Sequence, residues 1–309
     1  MLDLVIRNGL VIDGTGSPGQ LGDVGVRDGR IVAVGEIADE ALEEVDATGL
    51  VVAPGFVDVH THFDAQVFWD STLSPSPLHG VTTIIGGNCG FTIAPLTPDD
   101  GDYLMRMLAR VEGMPLASLQ EGVPWNWSTF GEYLDAIDGT LMPNAGFLVG
   151  HSALRRVVMG ERSVGEAASD QELQAMKDLL AESIEAGGLG FSSSWAKTHN
   201  DAEGDAVPSR HASEHELVEL CSVLRNTGAV ALEFIPTVER FDHDVYQLLT
   251  DMSVAADRPL NWNVIFANAR QSDAIEEKLQ ASNYAARQGG RVICLLYTSD
   301  AADEGLGVD

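Results

Sequence analysis

The chain has 309 residues, of which 45% are hydrophobic, and its 18 basic and 47 acidic residues give a formal net charge of −29. This length suits one large domain or a barrel with an appendage. A charge of this sign would repel nucleic acid and anionic membrane surfaces, so neither is an expected partner. Because the start of the chain lacks a secretory signal pattern and there are only three cysteines, we predict a cytoplasmic protein in a reducing compartment.

Residues 1–54 are predicted to form a small β module. Short runs rich in β-branched residues, LVIRNG, DVGVRDG and RIVAVG, are punctuated by Asn-Gly and Asp-Gly pairs. These dipeptides are strong hairpin signals, because the tight turns between strands need residues that tolerate a positive φ. The module ends just before a strand that carries two histidines.

Residues 55–293 alternate apolar strands with helical stretches, a pattern typical of a parallel α/β architecture. The clearest helix follows Ser169, where a Ser-Asp start, an early glutamate and a glycine stop agree with the apolar spacing. We predict a (β/α)8 TIM-type barrel that is incomplete at its C-terminal end. A doubly wound sheet is the alternative, but the glycine-rich segment Gly86–Gly90 lacks the phosphate-loop spacing it requires. The seven strand candidates are Gly55–His60, Val81–Gly86, Ala145–Gly150, Gly188–Ser193, Ala229–Ile235, Leu260–Ile265 and a strand that begins at Arg291.

The first barrel strand ends in the sequence His60-Thr-His62. Side chains alternate along a strand, so residues i and i+2 point the same way and the two imidazoles should converge. Neutral imidazole is a common zinc ligand, and a metal at the mouth of a strand activates water at neutral pH. The alternative is a pair of polar residues at a strand-to-loop junction. The apolar strand and the Pro-Gly turn before the histidines favour the metal site.

Cys89 ends the second strand, in the segment TTIIGGNCGF. Adjacent strands lie about 5 Å apart, so a thiolate at this position can face the same metal as the two histidines. The alternative is a small buried cysteine without a ligand role. We expect His60, His62 and Cys89 to meet at one mouth of the barrel.

Other chemically capable residues fall at strand ends, where barrel proteins place their functional groups. Asn88, His151 and Trp195 are candidate substrate-binding residues. His151 has a second interpretation, as a hydrogen-bonded residue of the scaffold. His199 is a further candidate for a pocket wall. The run Ser192–Ser194 lacks the G-x-S-x-G pattern that surrounds a nucleophilic serine, so a nucleophile is not predicted there.

Residues 294–309 are interpreted as a non-native tail. The segment CLLYTSDAADE and the final GVD resemble the translation of a sequencing adapter. The native sequence is then expected to stop near Ile293, within an apolar strand. We therefore expect residues 294–309 to make few native contacts.

Four segments together resemble the D-aminoacylase, or N-acyl-D-amino-acid deacylase, branch of the amidohydrolase superfamily. The resemblance implies a zinc-dependent barrel with one or two divalent ions and a small β domain built from both chain ends, of which residues 1–54 are one half. His60 and His62 match the strand-one ligands of that branch, and Cys89 matches its bridging cysteine. The segments are PGFVDVHTHFD (54–64), GVTTIIGGNCG (80–90), WSTFGEYLD (127–135) and VGHSALR (149–155).

The sequence departs from that branch on two strands. In relatives, strands five and six each end in a histidine. In this sequence Glu233 occupies the strand-five position and the Asn261–Asn263 region the strand-six position. Glu233 is a candidate oxygen ligand in place of an imidazole; its alternative is a structural ion pair. Hydantoinase-like and dihydroorotase-like relatives instead bridge two metals with a carboxylated lysine on strand four. Lys197 is the one candidate for that role, and the scarcity of lysine favours the cysteine-type site.

The resemblance implies a metal-dependent hydrolase that acts on the linear amide C–N bond of a small molecule, an N-acyl-D-amino acid or a similar amide. The general acid/base it implies is an aspartate at the end of strand eight, beyond Ile293, so this chain alone is expected to lack useful activity. One alternative is a cyclic-amide hydrolase that uses carboxylated Lys197. The other is a non-catalytic amidohydrolase-like binding protein, suggested by Glu233 and Asn263 at ligand positions. The acyl group, the amino-acid side chain and the oligomeric state stay open.

Overall fold

The structure is a computed structural model that describes residues 1–97, 99–266 and 272–297. It divides into two compact units, Met1–Phe56 and Val57–Asp309. The division falls two residues after the boundary expected at residue 54. None of the described helices is both long enough and apolar enough to cross a membrane.

The first unit is a five-stranded sheet with β1 at its centre. The Asp-Gly pair at Asp28 and Gly29 forms the predicted hairpin turn, with φ of 51° and 68°. The hairpin expected at Asn8-Gly9 is wrong: these residues lie inside β1, where the pairing register shifts between Ile6 and Gly9 and Asn8 has a φ of 60°. The Asn-Gly pair tolerates a positive φ, and in β1 this allows a β-bulge instead of the expected turn. The strands are β1 Leu2–Val11, β2 Gln20–Arg27, β3 Arg30–Gly35, β4 Ala41–Asp46 and β5 Val51–Val52.

The strands that follow form the predicted barrel wall in chain order. β6, β7 and β8 pair in that order, and β9 to β13 form a second run of neighbours. Only Leu148 separates β8 from β9, and its N–H bonds the Gly86 carbonyl at 3.0 Å, so the two strands occupy one wall position. Pairing is parallel from β7 to β8 and from β9 through β13, as predicted. The strands are β6 Phe56–Asp58, β7 Val81–Gly86, β8 Asn144–Phe147, β9 Val149–Gly150, β10 Gly190–Ser194, β11 Ala231–Ile235, β12 Leu260–Phe266 and β13 Val292–Tyr297.

From β7 onward, α-helices connect the successive wall positions of the barrel. The helix predicted after Ser169 is present, and Ser169 and Glu172 form a reciprocal capping box at its start. This pair satisfies backbone N–H groups that the first helical turn leaves open. The helices are α1 Gly101–Val111, α2 Leu116–Gly122, α3 Phe130–Ile137, α4 His151–Met159, α5 Asp170–Glu185, α6 Glu214–Val223, α7 His243–Ala256 and α8 Ser272–Arg287.

The core between strands and helices is largely aliphatic, and large aromatic side chains on the strands contribute to it. Strands β8, β10, β11 and β12 each carry one large aromatic side chain that is at most 1% exposed. These are Phe147, Phe191, Phe234 and Trp262. Burying a side chain of this size contributes about 1.5–3 kcal/mol. Polar side chains are also buried, among them Ser192–Ser194 at the end of β10, which are fully buried. Their hydroxyls need internal partners, which they find around the site described below.

Strand β13 crosses the expected junction at residue 294. Cys294 pairs with Trp262, and the pairing with β12 continues to Tyr297. The expectation of few native contacts is therefore wrong for residues 294–297, since their backbone extends the sheet. Residues 298–309 lie outside the described part of the chain, as does any aspartate of an eighth strand.

Candidate metal centre

The two histidines converge, although not by the predicted strand alternation. β6 ends at Asp58, so His60 and His62 lie on the loop that follows it. Their rings meet edge to face with centroids 5.2 Å apart. Thr61, between them, donates its N–H and its hydroxyl to the Ile85 carbonyl at 3.0 and 2.9 Å. These bonds fix the loop against β7, so both imidazoles face the same side.

Cys89 completes the cluster from the turn after β7. Its Sγ lies 3.4 Å from Nε2 of His60 and 3.7 Å from Nε2 of His62. All three donor atoms lie within 4.8 Å of one another, and within the described residues no other group of histidine, cysteine and acidic side chains does this. The predicted meeting of the three residues at one place is observed.

The donor set fits a zinc-like ion. With Zn–S near 2.3 Å and Zn–N near 2.0–2.1 Å, a tetrahedral ion separates its sulfur and nitrogen ligands by about 3.6 Å. The two S–N distances here, 3.4 and 3.7 Å, bracket that value. Three protein ligands leave one position of a tetrahedron for water or substrate, as in catalytic zinc sites.

The protonation states also suit a metal. Burial, together with the imidazoles of His62 and His199, lowers the pKa of His60 well below its ordinary value. Burial and the nearby His62 and Arg210 lower the pKa of His199 to about 4. Neutral imidazole is the metal-binding form. Nδ1 of His62, the nitrogen that faces away from the sulfur, lies 3.6 Å from Oε1 of Glu112, close enough for electrostatic attraction but too far for a direct hydrogen bond.

Glu233 lies beside the cluster but is not one of its three donors. One carboxylate oxygen accepts the Cys89 N–H at 2.8 Å, and the other bonds the side-chain amide of Asn263. That amide also lies 3.1 Å from Nδ1 of His60. Burial raises the pKa of Glu233 to about 8. In this geometry Glu233 holds the backbone of a ligand, which is neither the predicted metal contact nor the predicted ion pair.

Two of the three predicted substrate-binding residues are built into the scaffold. Asn88, 1% exposed, donates its amide to the carbonyls of Thr61 and Ile85 at 3.2 and 2.9 Å. His151 is fully buried, with both ring nitrogens engaged at 2.8 Å. This geometry favours the scaffold interpretation of His151 and does not support substrate contact by either residue. Trp195 is half-buried after β10, with its indole N–H on the Ser209 carbonyl, and its substrate role stays a prediction.

A buried charged cluster around His151 was not predicted. His151 bridges the Ser193 hydroxyl and Glu216, whose carboxylate also takes two 2.6 Å bonds from one guanidinium nitrogen of Arg155. Burial alone would raise the pKa of Glu216, but His151 and Arg155 outweigh it and lower that pKa. Glu216 is 65 residues from His151 and 61 from Arg155 in sequence, so no local pattern indicates these contacts.

Lys197 does not approach the cluster as a bridging lysine would. Its side chain is 69% exposed and pairs with Glu239 at 3.1 Å. A carboxylated lysine that bridges metals must lie among the metal ligands. The structure therefore removes the residue that the cyclic-amide alternative requires.

Comparison with known proteins agrees with the resemblance seen in the sequence. The profile of the amidohydrolase family matches residues 43–299. D-aminoacylase from Alcaligenes xylosoxydans xylosoxydans is 37% identical over 230 residues, which cover 74% of this chain and 43% of that protein. A crystal structure of D-aminoacylase superposes with a TM-score of 0.75 at 31% identity, covering 96% of this chain and 58% of the other.

A second solved structure gives a similar match. N-acyl-D-glutamate deacylase from Bordetella bronchiseptica, in complex with zinc and a phosphonate that mimics the tetrahedral intermediate, superposes with a TM-score of 0.71 at 28% identity and the same coverage. The chain spans about half the length of the relatives it matches. The chain belongs to the amidohydrolase family.

Proposed function

We propose that this protein is a zinc-dependent hydrolase that cleaves the linear amide bond of N-acyl-D-amino acids. The observation that carries the proposal is the meeting of two imidazole nitrogens and one thiol at 3.4 and 3.7 Å, the separation that a tetrahedral ion imposes. The similarity to D-aminoacylase and to N-acyl-D-glutamate deacylase supports the substrate class.

The residues of this chain prepare the site in separate ways. A zinc ion held by His60, His62 and Cys89 would polarise the acyl carbonyl and lower the pKa of the attacking water. Burial lowers the pKa of His60 and so favours its neutral form, Thr61 fixes the loop, and the Glu112 carboxylate lies 3.6 Å from the His62 ring.

The outer part of the site is proposed to receive the substrate. Trp195 and His199, half-buried after β10, are the candidate walls for a small N-acyl amino acid. The proton for the leaving amine must come from a further group, and the sequence resemblance implies a strand-eight aspartate for this task.

The test is a deacylation assay with matched D- and L-substrates. This chain, and the longer product if the gene encodes one, is freed of metal by chelation, reloaded with zinc and supplied with a panel of N-acyl-D- and N-acyl-L-amino acids. We expect free D-amino acid to be released only after reloading with zinc. A zinc-loaded longer product that hydrolyses no amide, or that retains no metal, would overturn the proposal in favour of a binding protein.

Glu233→Gln separates the two roles open to Glu233. If the residue only holds the Cys89 backbone, the amide oxygen can replace the carboxylate as acceptor, and zinc affinity should stay within about threefold of wild type. If Glu233 is a zinc ligand, the loss of its charged oxygen should weaken binding by at least about a hundredfold. From the geometry we expect the smaller effect.

The measurement is competition for zinc with a chromophoric chelator, using His62→Ala as a positive control that removes a proposed ligand. A Glu233→Gln protein that binds zinc as weakly as His62→Ala would restore the ligand interpretation. Circular dichroism of each variant checks that the fold is kept.

A further inference from the structure

We propose that Ser192 is a positioning residue for the metal ligand Cys89. Its hydroxyl joins two backbone groups on either side of the cysteine, the Gly87 carbonyl and the Gly90 N–H. The proposal rests on the metal centre of the proposed function and is independent of the substrate. In this role, the Ser192 hydroxyl on β10 keeps the Cys89 thiol directed toward His60 and His62.

The turn that carries the thiol has an unfavourable backbone conformation. Cys89 has φ of 58° and ψ of 13°, in the left-handed region that side chains with a Cβ avoid. This conformation is sterically unfavourable for a residue with a Cβ, so the surroundings must enforce it. The neighbouring Gly87 and Gly90, at φ of 73° and 78°, adopt the same region without that cost.

Ser192 is placed to enforce this conformation. Its Oγ accepts the Gly90 N–H at 3.0 Å and donates to the Gly87 carbonyl. A hydroxyl is suited to this task because it both donates and accepts from one small atom. Ser192 is fully buried, and it stands opposite Glu233 in the β10–β11 register, which is why both side chains reach the same turn.

The turn packs closely on one side, against the segment that contains Leu148 and Gly150. A Cβ at Gly87 would lie 2.2 Å from the Leu148 carbonyl oxygen, and one at Gly150 would lie 2.7 Å from the Gly90 oxygen. The turn is thus in direct contact with the adjacent strand segment. An alanine at position 192 would leave a buried N–H and a buried carbonyl without this partner, a penalty the turn can relieve by leaving the left-handed conformation. The thiol would then move away from the imidazoles.

The experiment compares Ser192→Ala with a matched control, Ser253→Ala. Ser253 in α7 is also buried, at 2% exposure, and its hydroxyl donates to the Arg258 carbonyl at 2.8 Å and accepts the Arg291 N–H at 2.9 Å. Both variants therefore lose one buried bridging hydroxyl, and only one of the two hydroxyls touches the cysteine turn. Ser192→Thr, which keeps the hydroxyl, is the rescue variant.

Metal-free proteins are titrated with Co²⁺, which takes zinc sites and gives a thiolate-to-cobalt charge-transfer band, and with Zn²⁺ against a competing chelator. We expect Ser192→Ala to bind both ions about 10–100-fold more weakly, as is typical when a partner of a metal ligand is removed, and to show a shifted or weakened band. Ser192→Thr should recover affinity and band. Ser253→Ala should match wild type in both while losing some thermal stability.

Each outcome bears on the proposal. The positioning role would be overturned if Ser192→Ala kept the wild-type metal affinity and thiolate-to-cobalt band. It would also be overturned if Ser253→Ala weakened metal binding equally. Either result would leave the proposed function intact. A wild-type protein that binds neither ion would overturn the metal centre and this inference with it. If Ser192→Ala is unfolded in plain buffer, the same titrations are made with trimethylamine N-oxide, which favours the folded state.

Discussion

Cys89→Ala is expected to weaken zinc binding by a few hundredfold while the fold persists. Structural zinc sites with four ligands bind with about 10–16 kcal/mol, or roughly 3–4 kcal/mol for each ligand, which corresponds to a change of this size. Alanine keeps the Cβ, so the left-handed backbone at position 89 costs the same in the variant. The affinity change therefore reports on the thiol alone. It is measured by chelator competition and by loss of the thiolate-to-cobalt band.

Cys221→Ala is the matched control for this prediction. Cys221 is fully buried in α6, and burial raises the pKa of its thiol, so it behaves as a small apolar side chain. Its truncation should lower the unfolding free energy without changing zinc affinity. If Cys89→Ala and Cys221→Ala bound zinc equally well, Cys89 would not be a ligand, and the alternative of a small buried cysteine would hold.

The strands and the helix after Ser169 could be predicted because their signals are local. Apolar runs bounded by glycine placed the seven wall positions of the barrel, and a serine with a glutamate three residues later marked the start of α5. Strand ends were less accurate. β6 stops at Asp58 rather than at His60, and the bonds of Thr61 to Ile85 take over the orientation that strand alternation was expected to supply.

The metal ligands were found in the sequence because two of them stand two residues apart and the third ends the next strand. Their supports were not found. Glu233, Ser192 and the Cys89 turn meet across more than 100 residues of sequence, and the bonds depend on how β10 and β11 align. Buried polar groups need partners, but their identity follows from the assembled fold and from no local pattern.

Arg155→Met is expected to lower the free energy of unfolding by about 3–5 kcal/mol, the range for breaking a buried ion pair from one side. Arg155 is fully buried, and it donates to both oxygens of Glu216 and to the carbonyls of Ser163 and Glu166. Methionine fills similar space but removes the guanidinium from the Glu216 carboxylate. Of the two residues that bond this carboxylate, only His151 then remains. The loss is measured by urea unfolding of the metal-free protein, which separates stability from zinc binding.

Arg162→Met supplies the comparison, because it makes the same substitution on the surface. Arg162 is about half exposed and pairs with Glu166 and Glu172 at 2.9 and 2.7 Å. Exposed pairs of this kind contribute about 0–1 kcal/mol, since solvent screens them and ordering the side chains costs entropy. The ratio of the two losses decides whether the His151 cluster stabilises the barrel beneath the metal turn. An Arg155→Met protein no less stable than Arg162→Met would contradict this prediction and show that the fold does not depend on the pairing of Arg155 with Glu216.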